Sequence, residues 1–284
     1  MPLRTLLQPL LHWYWRLGNH LDIRRGHRAR HIVICGYPRS GTSLLYNMIA
    51  ASIEGYRCEE FETLAVERLH RRGNYVTKFP LDILNVEAIR SSNVLSKDVY
   101  FLVLVRDVRD LITSRHPQVP DRYFIGYESS LWPQDPEFSR WDYSAPGIGA
   151  IHRAIQSCAS DPRMKLLKVR YETLVTDTSG IQGGIEQFLS LTFPAKFADY
   201  YTRPDRHVYR YSGRYQAKDA SLARESAQVD SNRIAKWKSP EHRAVVREQF
   251  TRHPELFQIL IDDGYEADRK WFAAIEAAPA SGTV

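Results

Sequence analysis

Short, continuously apolar segments alternate along this chain with segments whose apolar residues recur at helical spacing. The apolar segments are typical of strands that are covered on both faces of a sheet. They predict four strands: Ile32–Cys35, Tyr75–Phe79, Tyr100–Val105 and Leu166–Val169. The helical spacing predicts seven helices: Ser43–Ser52, Phe61–Arg71, Ile83–Ser91, Arg109–Arg115, Gly147–Ser160, Ile181–Leu189 and Pro240–Arg252. This alternation predicts an α/β fold in three layers, with a central, mostly parallel sheet flanked by helices.

Two long stretches interrupt the alternation. Residues 116–143 are rich in proline and aromatic side chains, and residues 203–231 are polar and basic. Loops of this length in a compact domain are usually functional or disordered. The aromatic side chains of the first stretch favour a lid or a wall of the substrate site, although they also suit a loop attached to the core. We therefore expect one domain over residues 31–265, with these stretches as candidate lid and substrate loops and residues 266–284 as a tail.

The segment of residues 1–30 is amphipathic and basic, with apolar side chains on one face at helical spacing. A helix packed on the domain and a helix lying at a membrane interface both have this pattern, and the sequence leaves both open. No segment has the pattern of a secretory signal or the long apolar run of a membrane span. We expect a cytoplasmic protein, with peripheral membrane contact through this helix as the alternative.

The formal net charge of +6 is concentrated in two regions. Residues 1–31 contain six arginines and one acidic residue, and residues 203–238 contain nine basic and four acidic residues. Because the rest of the chain is slightly acidic, this distribution does not indicate a nucleic-acid-binding protein. The three cysteines form no pair at metal or redox spacing, which argues against a disulfide framework.

Residues 36–43, Gly-Tyr-Pro-Arg-Ser-Gly-Thr-Ser, lie between the first strand and the first helix. A loop of this kind at a helix N-terminus binds anions, because backbone N–H groups and the helix dipole point at the ligand. Gly36 and Gly41 have the spacing of a nucleotide phosphate loop, but Thr42 stands where ATPases and kinases carry lysine. Arg39 places a cation inside the loop instead. The loop therefore predicts a phosphate-like ligand other than the ATP triphosphate.

A second informative segment begins at Arg106, which ends an apolar strand. Asp107 and Asp110 follow in the first turn of a helix, where carboxylates are favourable, and Ser114 lies further along. The residues GYPRSGTSLL, followed at this distance by VRDVRDLITSR, resemble the sulfotransferases that use PAPS (3′-phosphoadenosine-5′-phosphosulfate). The later segments KVRYETLV and AKWK are also similar to that family.

The resemblance implies a fold like that of P-loop NTPases, and PAPS as a co-substrate that is used without a metal and released as 3′,5′-ADP. It implies that five loop residues cradle the 5′-phosphosulfate: Arg39, Ser40, Gly41, Thr42 and Ser43. Arg106 and Ser114 would hold the 3′-phosphate, since the planar guanidinium binds phosphate oxygens in a bidentate way. Arg233, in the segment that ends in AKWK, would close over the nucleotide or simply lie on a solvated basic helix.

Sulfuryl transfer needs a cation at the leaving oxygen and a base at the acceptor. The resemblance assigns the leaving group to Arg39, and Lys78, in TKFP at a strand end, is a second candidate cation. Glycan and bacterial sulfotransferases use a glutamate about twenty residues after the phosphate loop, and Glu60 is the residue that we favour here. The alternative bases are Glu59, Glu62 and His116, and the acidic cluster also suits the start of a helix.

The function predicted from the sequence is transfer of the sulfuryl group of PAPS to a hydroxyl of a carbohydrate, a glycolipid or a small metabolite. The alternative enzyme is a P-loop kinase acting on a nucleotide or a small molecule. The lysine after Gly41 and an Asp-ended metal strand, which a kinase would need, are missing from the pattern. A non-enzymatic membrane-associated or glycan-binding protein is the third hypothesis. The partner that we expect is a small-molecule or glycan acceptor.

Overall fold

The structure is a computed structural model that describes residues 28–59, 61–114, 124–133, 142–202 and 231–277. In this part of the chain there are eight strands: β1 (Arg30–Gly36), β2 (Tyr56–Cys58), β3 (Asn74–Lys78), β4 (Asp98–Val105), β5 (Phe124–Ile125), β6 (Ser129–Pro133), β7 (Asp142–Pro146) and β8 (Leu166–Arg170). Five of them form a parallel sheet in the order β2-β3-β1-β4-β8, and β5, β6 and β7 form a small antiparallel sheet.

The same ranges contain ten α-helices: α1 (Thr42–Ser52), α2 (Val66–Leu69), α3 (Val86–Ser91), α4 (Val108–Ile112), α5 (Ile148–Ser160), α6 (Tyr171–Thr176), α7 (Thr178–Leu189), α8 (Arg243–Arg252), α9 (Glu255–Asp262) and α10 (Lys270–Glu276). Shorter 3₁₀ turns occupy five further segments: Pro80–Asn85, Phe197–Thr202, Ser231–Arg233, Lys236–Lys238 and Pro240–His242.

The parallel sheet separates two apolar clusters, because successive side chains of a strand point to opposite faces. Ile32 and Ile34 of β1 pack with α1, α7 and the 3₁₀ turn that begins at Phe197. Val33 and Cys35 belong to the other cluster, which includes α4, α5, α8, α9 and α10. The chain is thus a three-layer α/β fold, as the alternation of strands and helices predicted.

The structure departs from the prediction in three places. The segment expected to be helical over Phe61–Arg71 is an α-helix only from Val66 to Leu69, because backbone contacts hold the residues before it. Thr63 N donates to the carbonyl of Lys78, and the carboxylate of Asp82 accepts from Ala65 N. Strand β2 is too short to show a periodic pattern in the sequence, and β5 to β7 lie in a region expected to be irregular.

Several expectations fall outside the described residues: the amphipathic segment up to residue 27, most of residues 203–231, and the side chains of Glu60 and His116. The predicted tail contains α10, whose Phe272 and Ile275 are buried in the core. Among the described helices, none combines the length and the hydropathy that crossing a bilayer would require.

A buried histidine lies near the start of β1. His31 is fully inaccessible to solvent, and its Nε2 is 2.9 Å from the hydroxyl oxygen of Thr77. Burial, together with the charges of Lys97 and Arg68, lowers the pKa of His31 to about 3. The folded protein therefore holds a neutral imidazole where the unfolded chain has an ordinary, titratable histidine.

His31 should make the free energy of unfolding fall as the pH falls from about 6.5 towards 3, because the unfolded chain then binds a proton that the folded protein does not. Between about pH 8 and pH 5 we expect wild type to lose roughly 2 kcal/mol relative to His31→Gln. Urea denaturation of both proteins at the two pH values measures this difference. Equal pH dependence in the two proteins would contradict the assignment.

Candidate active site

Strand β1 leaves the sheet through a glycine that has no room for a side chain. A Cβ on Gly36, whose φ is +130°, would lie 2.1 Å from the carbonyl oxygen of Leu104 in β4. The next residue, Tyr37, donates its backbone N–H to that same carbonyl at 3.1 Å. The loop therefore starts in direct contact with the neighbouring strand, which fixes its position relative to the end of β4.

The loop turns tightly between Tyr37 and helix α1. The hydroxyl of Ser40 donates to the carbonyl of Tyr37 at 2.6 Å, and Arg39 has a φ of +63°, in the left-handed region. Backbone strain of this kind is concentrated at functional sites, where the surroundings hold it in place. Gly41, with a φ of +91°, is the N-cap of α1, and the first turn of that helix contains no acidic residue. The predicted phosphate loop thus has the geometry of an anion site.

Arg106 connects three separate segments at the end of β4. Its Nη1 donates to the carbonyl of Arg39 at 3.0 Å and its Nη2 to the carbonyl of Arg233 at 2.6 Å. Its guanidinium also lies over the ring of Tyr171, 4.4 Å from the centroid. The Nε of Arg39 donates to the hydroxyl of Ser114 at 3.5 Å. Four residues that the sequence placed in one nucleotide site are therefore neighbours in space.

The sequence did not single out Asp110 as part of this arrangement. Its carboxylate accepts from the backbone N–H of Ala235 at 2.8 Å and of Trp237 at 3.0 Å. Burial raises the pKa of Asp110, and these two N–H donors together with Arg106 oppose that shift. A buried acid four residues after a strand-end arginine is the signal that could have indicated this role. Asp110 thus attaches the segment that follows Arg233 to helix α4.

Arg109 also holds the segment that follows Arg233, through its contact with Trp237. Its guanidinium packs against the rings of Trp237 and Trp271, at 4.0 and 4.4 Å from their centroids, and the two rings meet edge to face. It donates to both carboxylate oxygens of Asp107 and, through Nη1, to Glu266 at 2.5 Å. A planar cation that contacts two aromatic rings is well suited to join α4 to the C-terminal helices.

Lys78 reaches the site from the end of β3, the strand beside β1. It is buried, and its ammonium group forms an ion pair with the carboxylate of Glu62. Burial lowers the pKa of Lys78; Glu62 opposes that effect, and the positive charge of Arg39 adds to it. Because β3 pairs with β1 and places Lys78 beside Ile34, this predicted second cation lies close to where the phosphate loop begins.

The candidate bases differ in their surroundings. Glu59 receives two hydrogen bonds from Arg68, at 2.6 and 3.0 Å, and its backbone carbonyl accepts from the Tyr46 hydroxyl at 2.5 Å. Glu62 is paired with Lys78, while Glu60 lies outside the described residues. Since α2 begins only at Val66, the acidic cluster does not stand at a helix start.

Among the side chains that the structure describes, no group of three or more histidine, cysteine or acidic residues is arranged to hold a metal ion. Four basic residues lie in the loop or in segments joined to it: Arg39, Lys78, Arg106 and Arg233. The N-terminus of α1 itself favours negative charge. The arrangement is suited to binding an anion with more than one acidic group.

Comparison with models of protein families identifies the family of this domain. The model of the sulfotransferase domain family matches residues 29–239, which span the parallel sheet, the phosphate loop and the segment held by Asp110. The chain belongs to the sulfotransferase domain family. Among curated proteins, none matches the sequence.

Three solved sulfotransferase structures are similar to this chain at low identity. The sulfotransferase domain of the Synechococcus PCC 7002 olefin synthase is 16% identical, covers 75% of this chain and 89% of its own, and has a TM-score of 0.45. The domain from the curacin biosynthetic pathway is 12% identical, with coverages of 78% and 97% and a TM-score of 0.46. Mouse sulfotransferase SULT7A1, complexed with PAP, is 12% identical, with coverages of 80% and 86% and a TM-score of 0.43.

Gly36→Ala should prevent the sulfotransferase domain from folding normally, because its Cβ would overlap the backbone of Leu104. Gly55→Ala is the matched control: Gly55 also has a positive φ, of +74°, but a Cβ there meets nothing within 4 Å. The control should lose only about 1 kcal/mol of stability, through backbone strain alone. Thermal denaturation and yield of soluble protein compare the two. Similar losses in both variants would show that the contact with Leu104 is not the constraint.

Proposed function

We propose that this protein transfers the sulfuryl group of PAPS to the hydroxyl of an acceptor molecule and releases 3′,5′-ADP. The observation that carries the proposal is the position of Arg106, which lies between the phosphate loop and the segment of Arg233. A phosphate loop with a second strong cation beside it, and with Thr42 in place of the kinase lysine, is suited to a nucleotide that carries two separate acidic groups.

The donor would supply an activated sulfuryl group, so the protein needs only to position it and to stabilise charge. Backbone N–H groups of the loop and the start of α1 would hold the 5′-phosphosulfate. Arg39 and Lys78 would stabilise the negative charge that develops on the oxygen leaving sulfur. Arg106 and Ser114, with Arg233 closing over the nucleotide, would hold the 3′-phosphate that distinguishes PAPS from ATP.

A base is then needed to accept the proton of the acceptor hydroxyl as its oxygen attacks sulfur. Glu60 is the residue that we propose for this role, on the resemblance of its segment to glutamate-dependent sulfotransferases. The neighbouring acids have other partners in this structure, since Glu59 pairs with Arg68 and Glu62 with Lys78.

The acceptor class that we propose is a carbohydrate, a glycolipid or a small metabolite. Phe61, whose surface is 46% exposed between these acids, offers an apolar face for such a molecule.

Binding of nucleotides tests the donor directly. We expect 3′,5′-ADP to bind at least roughly tenfold more tightly than ATP–Mg, and sulfuryl transfer from PAPS to continue in EDTA.

Arg106→Ala should weaken 3′,5′-ADP binding by about 10- to 100-fold, since charge-assisted hydrogen bonds contribute about 1.5–3 kcal/mol each. Isothermal titration calorimetry measures these affinities.

Arg153→Ala, at an exposed position of α5, is the matched control for loss of one positive charge and should leave the affinity unchanged. Thermal denaturation of Arg106→Ala separates loss of folding from loss of binding. Equal or tighter binding of ATP–Mg would reject PAPS as the donor and would support the kinase alternative.

Three single substitutions test the base: Glu59→Gln, Glu60→Gln and Glu62→Gln. Glu60→Gln should reduce kcat by roughly 100-fold and leave 3′,5′-ADP binding nearly unchanged, because proton transfer contributes about 10²–10⁴ to the rate. Glu59→Gln should mainly lower thermal stability through its pairing with Arg68. Rates with saturating PAPS and a responsive acceptor decide between them. Full turnover of Glu60→Gln, with a large loss in Glu62→Gln, would assign the base to Glu62.

A further inference from the structure

A largely buried polar network meets the phosphate loop at Tyr37. It contains the side chains of Tyr37, His152, Lys168, Asp262 and Asp263. These residues come from the loop, from α5, from β8 and from the end of α9. The network therefore joins four segments that are far apart in the sequence.

Tyr37 is the centre of this network. Its hydroxyl lies 2.9 Å from Nδ1 of His152 and donates towards the carboxylate of Asp263 at 3.3 Å. Burial, followed by the charge of Asp263, raises the pKa of Tyr37, so the phenol keeps its proton and stays a donor. When Nδ1 of His152 carries a proton, it donates to the phenolic oxygen and the phenol donates to Asp263; when Nδ1 carries none, Nδ1 and Asp263 compete for the single phenolic proton. In both cases the hydroxyl is hydrogen-bonded to α5 or to the residue that follows α9.

The remaining members balance the charge of the network. Asp262 lies 2.9 Å from Nε2 of His152, and Lys168 donates to the other oxygen of Asp263 at 3.0 Å. The side chain of Asp263 is only 1% exposed. A carboxylate at that depth needs such partners, because an unpaired buried charge is strongly unfavourable. The network is thus a fixed, hydrogen-bonded unit rather than a set of mobile surface charges.

The backbone of Tyr37 in turn determines the shape of the phosphate loop. Its N–H is bound to Leu104, and its carbonyl accepts from both the hydroxyl and the backbone N–H of Ser40. Arg39 lies inside that turn with a strained, left-handed backbone. A strained residue persists only where its neighbours are fixed. The side chain of Tyr37 is fully buried, in the apolar cluster that contains Val33 and Cys35.

We propose that Tyr37, through its hydrogen bonds to His152 and Asp263, is a positioning residue that holds the phosphate loop in its anion-binding conformation. This rests on the proposed function, because it assigns the loop to the sulfuryl donor. Without the phenolic oxygen of Tyr37, the loop should keep all of its anion-binding groups but become less ordered. Donor affinity should then fall more than the rate of transfer from bound donor.

Tyr37→Phe tests the proposal, since it removes one oxygen atom and keeps the ring. We expect its Kd for 3′,5′-ADP and its KM for PAPS to rise roughly tenfold, and kcat to change less than about threefold. Ile185→Val, a small loss from the core at α7, is the control for lower stability and should bind as wild type does. Wild-type donor affinity in Tyr37→Phe would overturn the proposal.

Asp263 provides a second pair of variants in case Tyr37→Phe does not fold. Asp263→Asn keeps an oxygen that accepts from the phenol, so it should bind 3′,5′-ADP more tightly than Asp263→Leu, which has none. Equal affinities of these two variants would overturn the proposal.

Hydrogen exchange of the loop separates this inference from the proposed function. Backbone amides of residues 39–43 should exchange faster in Tyr37→Phe than in wild type without any nucleotide, and those of α7 should not. Faster exchange in a protein that does not bind 3′,5′-ADP would reject PAPS and keep the positioning role of Tyr37. Unchanged exchange in the loop, together with normal binding by wild type, would reject the positioning role alone.

Discussion

The contact between Gly36 and Leu104 is the constraint on which the site depends. The end of β1 lies directly against β4, which leaves no space for a Cβ at Gly36. The phosphate loop and Arg106 then leave two adjacent parallel strands at the same edge of the sheet, where ligands of such folds bind. This placement brings the turn at Ser40 close to the end of β4, so Arg106 can donate to the Arg39 carbonyl.

A second property of the site is that its cations also support the structure. Arg106 donates to two backbone carbonyls, and Lys78 is buried with a carboxylate partner. Such groups are already ordered before a ligand arrives, so binding does not have to restrict long flexible side chains. Burial also strengthens their interaction with an incoming anion. The result is a preorganised positive site in a domain whose net charge is modest.

The sequence predicted the parts of this molecule that depend on local pattern. Buried strands and a helix that begins just after Gly41 are visible from apolar runs and helical period, and the structure confirms them. The irregular course of residues 61–65 was not visible, because it depends on hydrogen bonds to Lys78 and Asp82, which are distant in sequence. The roles of Asp110 and His152 were missed for the same reason, since long-range partners decide them.

The replacement of the usual lysine by Thr42 gains a physical explanation from these contacts. Thr42 itself is buried at the start of α1 and carries no charge. Positive charge is delivered instead by Arg39 from within the loop and by Lys78 from the neighbouring strand. The ion pair with Glu62 holds Lys78 in place, and the buried side chain of Tyr37 holds the loop that contains Arg39. The position of the cations, rather than their number, therefore distinguishes this loop from that of a nucleoside triphosphatase.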